Sequence, residues 1–189
     1  EKPLSVSSAS VEILGRKPVR CMVGYNWRWH PDILGVMETW DVAPDRIHCD
    51  CNTNIADWPG RAYADPLLEC SHEIDLLWWI RAGDMQRVTA AGAQEGSEGV
   101  WLEFDSGDRI DIRWNAPPSR RLLARWKDKP EQMIWPSLGE ALEQSYRAEM
   151  AAFLRSVETG EPHGGATFDD GLAVLKICEQ ARELLKVMA

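Results

Sequence analysis

Apolar residues in the middle of the chain recur at helical spacing. Ile74, Leu77 and Trp78 fall at positions i, i+3 and i+4, which is typical of one buried face of a helix. Ser71 is a good N-terminal cap, and Gly83 is a residue type that commonly ends helices. The pattern therefore predicts a short helix over about 72–82.

Two longer helices are predicted in the last third of the chain. A capping box at 137–140 begins the first, which ends at Gly160, and Thr167 or Asp169 caps the second, which runs to about residue 188. Both carry apolar stripes that we expect to face the core, namely Leu142, Tyr146, Met150, Phe153 and Val157 in the first, and Leu172, Leu175, Cys178, Leu185 and Met188 in the second. Shorter helices are predicted at 5–14 and 31–40.

Most of the remaining chain consists of short segments whose length and composition predict β-strands. The clearest pair is 100–104 and 109–114, a hairpin around the turn 105–108. Further strands are predicted at Val19–Tyr25, Arg46–Asn54, 85–94, Arg120–Trp126 and Glu131–Trp135, with a loop at 55–66. Such strands with helices grouped around them predict one α+β domain: an open, mostly antiparallel mixed sheet covered by helices on one face.

Charge and cysteine content narrow the class of protein. The net charge of −9 argues against a general role in binding nucleic acid or an anionic membrane. No apolar run approaches the roughly 20 residues that span a bilayer. Five cysteines without framework spacing favour a reducing, cytoplasmic environment. Because the first residue is Glu1 rather than methionine, we expect the chain to be an excised piece of a longer protein.

His72 is the strongest candidate for acid–base chemistry. Glu69 precedes it, and Asp75 follows one helical turn later on the same face. The carboxylates favour the imidazolium form, whereas the positive end of the helix dipole disfavours it, so this histidine could exchange a proton near neutral pH. A histidine at a helix start is also often only a capping or core residue, and that interpretation stays open.

The run His48-Cys49-Asp50-Cys51 raises the question of a metal. Strand alternation places the two cysteines on one face, and the histidine and aspartate on the other. Two cysteines in a C-x-C pattern without a second pair of ligands at a set distance are usually structural, so we expect no metal site.

Several separated motifs together resemble one enzyme family. They are, in order, Glu1-Lys2-Pro3, Val23–Pro31, Leu67–Asp75, the helix Tyr146–Gly160, and Thr167 with Asp170 and Gly171. The chain resembles the C-terminal part of the Gfo/Idh/MocA oxidoreductases, the relatives of glucose–fructose oxidoreductase and inositol dehydrogenase. The resemblance implies a C-terminal domain like that of glyceraldehyde-3-phosphate dehydrogenase.

In that family, a Rossmann domain that binds NAD or NADP comes first and ends at the Glu-Lys-Pro motif. This chain contains no G-x-G-x-x-G sequence. We therefore expect residues 1–189 to be a single substrate-binding and dimerisation domain, with the Rossmann domain absent, and the isolated fragment to be inactive. The resemblance also implies a homo-oligomer formed through the sheet face.

The resemblance assigns catalytic roles residue by residue. Lys2 matches the lysine beside the nicotinamide and the substrate hydroxyl, and Glu1, Lys2 and Pro3 together lie at the cofactor. His72 matches the catalytic histidine. Glu69 stands where many relatives have a carboxylate three residues before that histidine. Oxidation of a secondary alcohol needs such a base, and a lysine beside the developing alkoxide would stabilise it.

The same resemblance assigns substrate contacts. Asn26 and Arg28 match the edge of the pocket, and Asp75 matches a substrate-contacting carboxylate. These polar groups suit a sugar or polyol. Two positions depart from the family: Leu68 stands where other relatives have aspartate, and Tyr63–Pro66 replaces glycines.

Two other functions remain open. The chain could be a non-catalytic binding or dimerisation module of the same fold. It could also be a hydrolase that uses Glu69 and Asp75 as an acid/base pair, because carboxylates about six residues apart across a helix start could approach each other.

Overall fold

The computed structural model describes residues 2–5, 7–14, 21–54, 65–84, 87–93, 98–114 and 116–188, and excludes the side chains of residues 14, 66, 69, 187 and 188. The helices are α1 (Ser8–Leu14), α2 (Pro31–Met37), α3 (Pro66–Glu69), α4 (Ser71–Ile80), α5 (Glu140–Thr159) and α6 (Phe168–Met188). A short 3₁₀ helix covers Asn26–Trp29. The strands are β1 (Arg46–Thr53), β2 (Val88–Ala93), β3 (Gly99–Phe104), β4 (Arg109–Trp114), β5 (Ser119–Arg125) and β6 (Gln132–Ile134).

The six strands form one mixed sheet in the order β2-β3-β4-β1-β5-β6. Only β1 and β4 run parallel, while the other neighbours are antiparallel. Alternation along β1 buries Ile47, Cys49 and Cys51 in the core. The expected α+β fold with a mostly antiparallel mixed sheet is confirmed. No helix within the described ranges is both long and apolar enough to span a bilayer.

The β3–β4 turn also anchors α4. Gly107 adopts a positive φ of 80°, which a residue without a Cβ adopts at low cost. The fully buried Asp108 that follows accepts a hydrogen bond from the Ile47 backbone N–H at 2.7 Å. It also accepts two from Arg81, at 2.7 Å from Nε and 2.5 Å from Nη2. Because Arg81 directly follows α4, one carboxylate joins the end of this helix to the start of β1.

Residues 21–25 do not form the strand that the sequence predicted at Val19–Tyr25, and a different element follows them. Residues 21–25 pair with no strand among the described residues, and Asn26–Trp29 form the 3₁₀ helix. The Arg28 N–H donates to the Tyr25 carbonyl at 3.3 Å, and the His30 N–H donates to that of Trp27 at 3.1 Å. This three-residue period buries Tyr25, Asn26, Trp27 and Arg28 together, whereas alternation along a strand would place neighbouring residues on opposite faces.

The apolar stripe of α5 faces outward, contrary to the sequence prediction. Tyr146, Met150 and Val157 are each more than half exposed, while Ser145 and Ser156 are buried. The helix packs on the 3₁₀ helix, where Asn26 Nδ2 donates to Ser145 Oγ at 2.7 Å. Because the buried Asn26 needs a hydrogen-bond partner, the side of α5 that carries Ser145 is the one that turns inward.

The predicted N-termini of two helices differ from those in the structure, and the predicted loop lies largely outside the described residues. Cys70 rather than Ser71 occupies the N-cap position of α4. The capping box does not form, because Ser137 donates from its N–H and Oγ to Asp32 Oδ2, both at 2.9 Å, and Gly139 precedes α5. Most of the predicted loop at 55–66 lies outside the described residues.

Candidate active site

His72 lies in the first turn of α4 and is half-buried between two aromatic rings. The ring centroid of Tyr25 lies 5.8 Å from that of His72, and the centroid of Trp27 lies 6.4 Å away, each with an interplanar angle of 75°. The Nδ1 atom of His72 is enclosed and forms no hydrogen bond with the described part of the chain. The two rings therefore restrict the orientation of the imidazole, and Nε2 is the nitrogen left to reach a ligand.

The electrostatic environment favours the neutral form of His72. Burial lowers its pKa well below the usual value, and the positive charges of Lys2 and Arg120 lower it further. From the sequence, we expected the helix dipole to disfavour the charged form of His72 and the two carboxylates to favour it. A neutral imidazole can accept a proton from a hydroxyl group, which is the chemistry of a general base.

Lys2 is close enough to His72 for its positive charge to lower the pKa of the histidine. Pro3 follows it through a cis peptide bond. Glu1 lies outside the described residues. The cofactor contacts predicted for Glu1, Lys2 and Pro3 stay predictions.

Arg28, Asp75 and Asp170 form a cluster that we call the buried network. Arg28 donates from Nε and Nη2 to the two oxygens of Asp75, at 2.9 and 2.6 Å. Its Nη1 donates to Asp170 Oδ2 at 3.3 Å, and the other Asp170 oxygen accepts from Trp78 Nε1 at 2.9 Å. These bonds tie the 3₁₀ helix to α4 and α6.

The residues that the resemblance assigns to the substrate pocket are buried in this structure. Asn26 and Asp75 are fully buried, and Arg28 is only 6% exposed. Burial raises the pKa of Asp75 to about 6, although the Arg28 guanidinium opposes that shift. Arg28 and Asp75 bond each other and Asn26 donates to Ser145, so the three side chains are turned away from solvent in this structure. Direct contact between them and a substrate stays a prediction.

Glu69 ends α3, but its side chain lies outside the described part of the structure, so its proposed role in orienting His72 stays a prediction. Leu68 is buried. The hydrolase interpretation requires Asp75 to share an accessible site with Glu69. A fully buried Asp75 bound by an arginine does not suit that role.

Arg120 is a charged residue near the site that the sequence analysis did not identify. Its Nη1 donates to the carbonyl oxygens of Asn52 and Ser119, at 2.5 and 3.1 Å, and its Nε lies 2.5 Å from Glu73 Oε1. Glu73 directly follows His72, so this ion pair places a guanidinium at the first turn of α4. Strand alternation offered a signal, because it places Arg120 on the same side of β5 as the buried Leu122.

The other sheet face carries a row of charged residues that we call the sheet-face ladder: Glu103, Arg109, Asp111, His48, Asp50 and Arg121. Arg109 donates to both oxygens of Asp111 at 2.9 Å and to Glu103 at 3.0 Å. His48 contacts Asp111, and Arg121 contacts Asp50. The predicted separation of His48 and Asp50 from Cys49 and Cys51 is therefore confirmed.

The structure is an α+β domain with a histidine held at the start of a helix. Comparison with known proteins shows which enzymes it resembles. No family model matches the chain. The rhizopine catabolism protein MocA of Rhizobium meliloti is 24% identical over 222 residues, covering 98% of this chain and 67% of that protein.

Solved dehydrogenase structures share the fold. Scyllo-inositol dehydrogenase from Lactobacillus casei matches with a TM-score of 0.78 at 15% identity, covering 99% of this chain and 69% of that one. A probable dehydrogenase from Thermotoga maritima matches with a TM-score of 0.77 at 19% identity, covering 100% of this chain and 70% of that one. The resemblance to the Gfo/Idh/MocA oxidoreductases is confirmed, and the chain corresponds to about two thirds of the length of these relatives.

Proposed function

We propose that this chain is the substrate-binding and dimerisation part of an NAD(P)-dependent dehydrogenase that acts on a sugar, a polyol or a sugar derivative. His72 is the proton acceptor in the oxidising direction and the proton donor in reverse. The observation that carries this proposal is the position of a neutral imidazole at the first turn of α4, held between Tyr25 and Trp27, with the charge of Lys2 nearby.

The chain's own residues have separate tasks in this reaction. The enclosed Nδ1 leaves Nε2 of His72 to accept the hydroxyl proton of the substrate. The positive charge of Lys2 stabilises the developing alkoxide, and Glu69 helps to orient the histidine. The buried network holds α4 against the 3₁₀ helix, and so keeps His72 beside Trp27. A bound nicotinamide cofactor would supply the hydride acceptor.

Cofactor binding is expected to depend mainly on residues outside this chain. The sequence lacks the glycine-rich turn whose backbone approaches a dinucleotide pyrophosphate. Among the relatives, GenD2 from gentamicin A biosynthesis and the myo-inositol dehydrogenase of Lactobacillus casei are described in complex with NAD or NAD(H). In this protein, an upstream Rossmann domain would hold NAD or NADP, with Glu1, Lys2 and Pro3 at the nicotinamide.

The proposed catalytic role is tested by His72→Ala in the gene product that contains this sequence. Activity is measured as nicotinamide reduction with a panel of inositols, sugars and nucleotide sugars. The names of similar proteins mention compounds of these kinds. Loss of a general base should lower kcat by roughly two to four orders of magnitude while cofactor affinity is unchanged. The matched control is His163→Ala, at a half-buried loop position outside the site. An unchanged kcat for His72→Ala would contradict the assignment.

The isolated chain should neither bind NAD(P) saturably nor oxidise a sugar. A nicotinamide titration followed by fluorescence quenching measures this directly. Saturable binding in the micromolar range would overturn the half-enzyme interpretation. Localisation in the cytoplasm, expected from the cysteine content, stays a prediction.

We further propose that the open sheet face forms a homodimer. Its centre is the sheet-face ladder, and aromatic rings flank it: the Arg109 guanidinium carbon lies 4.9 Å from the Trp101 ring centroid, and that of Arg121 lies 5.8 Å from Trp135. Aromatic and arginine residues on one face are typical of protein interfaces. Sedimentation should show a dimer, and Trp101→Glu should shift it toward monomer, whereas Tyr146→Glu on α5 should not. A wild-type monomer at all concentrations would contradict this proposal.

The second candidate function is a non-catalytic binding or dimerisation module. The burial of Asn26, Arg28 and Asp75 favours it, since those side chains then serve the structure rather than a ligand. Polyol binding without turnover by the whole gene product, unchanged by His72→Ala, would support this module over the dehydrogenase.

A further inference from the structure

We propose that Cys51, Cys70 and Glu73 form a buried binding site for one zinc ion. This site goes beyond the proposed dehydrogenase function and does not depend on it. Cys51 is in β1, Cys70 precedes α4, and Glu73 lies in the first turn of α4. A potential ligand atom from each residue lies within 4.8 Å of the other two.

Burial makes the cluster unusual. Cys51 is 0% exposed, Cys70 is 1% exposed and Glu73 is 5% exposed. The two sulfur atoms lie 3.0 Å apart. Two thiolates and a carboxylate are a ligand set that suits zinc, a borderline-soft ion that commonly takes sulfur ligands and three or four protein side chains.

Glu73 supplies a second, independent observation. Both of its carboxylate oxygens are buried, and neither accepts a well-formed hydrogen bond from the described residues. Arg120 Nε lies 2.5 Å from Oε1, yet this N–H has no correctly directed acceptor. Buried carboxylates are normally satisfied, and an exception calls for an explanation such as a bound ion. A metal beside Cys51 and Cys70 would give a bonding partner to Oε2, while Oε1 stays paired with Arg120.

The charges in the cluster are compatible with a divalent ion. When Cys51 and Cys70 are both protonated thiols, with one S–H donating to the other sulfur, the pair is neutral, and the charge of Glu73 is offset by Arg120. On zinc binding, both thiols lose their protons to solvent, and the two thiolates offset the two charges of the metal. The buried cluster is then formally neutral in both states, which limits the desolvation cost.

A modest adjustment would complete the geometry. Two sulfur ligands each at about 2.3 Å from a tetrahedral zinc ion are somewhat further apart than 3.0 Å, so the thiols must separate by less than about 1 Å.

The second possible cluster, on the sheet-face ladder, is a weaker candidate. His48, Asp50 and Asp111 also bring potential ligand atoms within 4.8 Å. There, however, arginine hydrogen bonds occupy both carboxylates, from Arg121 to Asp50 and from Arg109 to Asp111. A metal would have to displace two well-directed guanidinium groups, whereas Glu73 lacks such bonds.

The proposed metal would have a structural role and would take no part in the reaction. Its ligands at 70 and 73 flank His72, and the third ligand is in the central strand β1. Occupancy would therefore fix the first turn of α4 relative to the sheet. His72 itself faces Tyr25 and Trp27, so it is not a ligand in this proposal.

The test uses the reduced 189-residue chain, stripped of metal by a chelator and titrated with zinc chloride. Calorimetry should show about one ion per chain and the release of up to about two protons. Thermal unfolding should shift upward with zinc concentration. Replacement by cobalt(II) should produce the visible absorption of a tetrahedral thiolate site. Failure of these readouts says nothing about the dehydrogenase activity, so the two proposals stand or fall separately.

Matched variants locate the site. Cys51→Ser and Cys70→Ser should each abolish saturable binding, and Glu73→Gln should weaken it. Cys49→Ser, two residues away on the same face of β1 and equally buried, should retain binding. Circular dichroism checks that each variant is folded.

A measurement on the unmodified chain tests the site without depending on whether the variants fold. Zinc should slow the alkylation of Cys51 and Cys70, read by peptide mass spectrometry, without affecting the half-buried Cys21. Absence of saturable zinc binding by the reduced chain would overturn the proposal. Binding that persists unchanged in both Cys51→Ser and Cys70→Ser would overturn it as well.

Discussion

The buried network and the sheet-face ladder use the same chemical groups in opposite surroundings. In the buried network, the Asp75 side chain has no exposure and the Arg28 side chain has 5%. In the sheet-face ladder, the outer pair of Arg109 and Glu103 is 36% and 47% exposed. The comparison shows that the number of ion pairs matters less than whether water can replace a lost partner.

This difference in exposure determines how much free energy of unfolding each ion pair is expected to contribute. Removing one partner of a buried pair leaves an uncompensated charge and costs about 3–5 kcal/mol, whereas an exposed pair contributes about 0.2–1 kcal/mol. The buried network is therefore expected to be essential to the fold around His72. The exposed pair of Arg109 and Glu103 in the sheet-face ladder is expected to vary in sequence at little cost to the folded chain, whereas its inner carboxylates, Asp50 and Asp111, are themselves buried.

The largest effect is expected for Asp75→Ala. It leaves the Arg28 guanidinium buried with only Asp170, at 3.3 Å, as a charged partner. The free energy of unfolding should fall by about 3–5 kcal/mol in urea denaturation. Asp105→Ala, at an exposed turn position, should change it by less than about 0.5 kcal/mol. A similar small loss for Asp75→Ala would show that water reaches Arg28.

The next effect concerns a neutral buried contact beside the same network. Ser145→Ala removes the acceptor of the Asn26 amide, whose Oδ1 is already without a hydrogen-bond partner among the described residues. An unsatisfied buried donor costs about 1–3 kcal/mol, measured as a lower midpoint of thermal unfolding. Ser137→Ala, whose exposed hydroxyl bonds Asp32, should cost less. Equal losses would contradict the inward orientation of the polar side of α5.

A smaller, pH-dependent effect is expected at Asp170. Burial alone would raise its pKa, but hydrogen bonds from Thr167 and Trp78 and the charge of Arg28 lower it below the usual value. The ionised form therefore stabilises the fold above the unfolded pKa of about 4, and this stabilisation is lost as the pH falls through the lower folded value. Asp170→Asn should lower stability at pH 7 and flatten its decline in acid. An unchanged acid-unfolding profile would argue against this linkage.

The smallest effect belongs to the ladder. Glu103→Ala should lower the free energy of unfolding by less than about 1 kcal/mol, and the difference should shrink in 1 M salt, where the screening length is about 3 Å. A larger, salt-independent loss in a monomeric sample would mean that this face is shielded from water within the chain itself.

The sheet was largely predictable because its strands alternate and its hairpin has a clear turn. The register of β3 with β4 and the positions of β5 and β6 follow the predicted segments. What failed was the segment at 21–29 and the orientation of α5. An apolar stripe identifies the buried face only where the neighbouring surface is apolar. The surface beneath α5 instead presents Asn26, and that partner comes from a distant part of the chain.

The candidate site was predictable in part. The helix that carries His72 was expected, but the partners of its neighbours were not. Arg28 and Asp75 are 47 positions apart, and Arg120 meets Glu73 only because β5 lies beside β1. Such pairings depend on tertiary contacts, which helix spacing does not encode. The sequence therefore identified the charged residues while assigning them to an open pocket rather than to each other.

The anchoring of α4 at Asp108 has a consequence for local opening. A ten-residue helix is about 15 Å long, and its last turn is joined to β1 through Arg81 while its middle is joined to the 3₁₀ helix through Asp75. Neither the last turn nor the middle of the helix can separate from its partner without exposing a buried carboxylate. Amide protons of 74–80 should therefore exchange with deuterium only when the sheet itself unfolds, as part of one cooperative unit, while the more exposed α5 exchanges through smaller fluctuations.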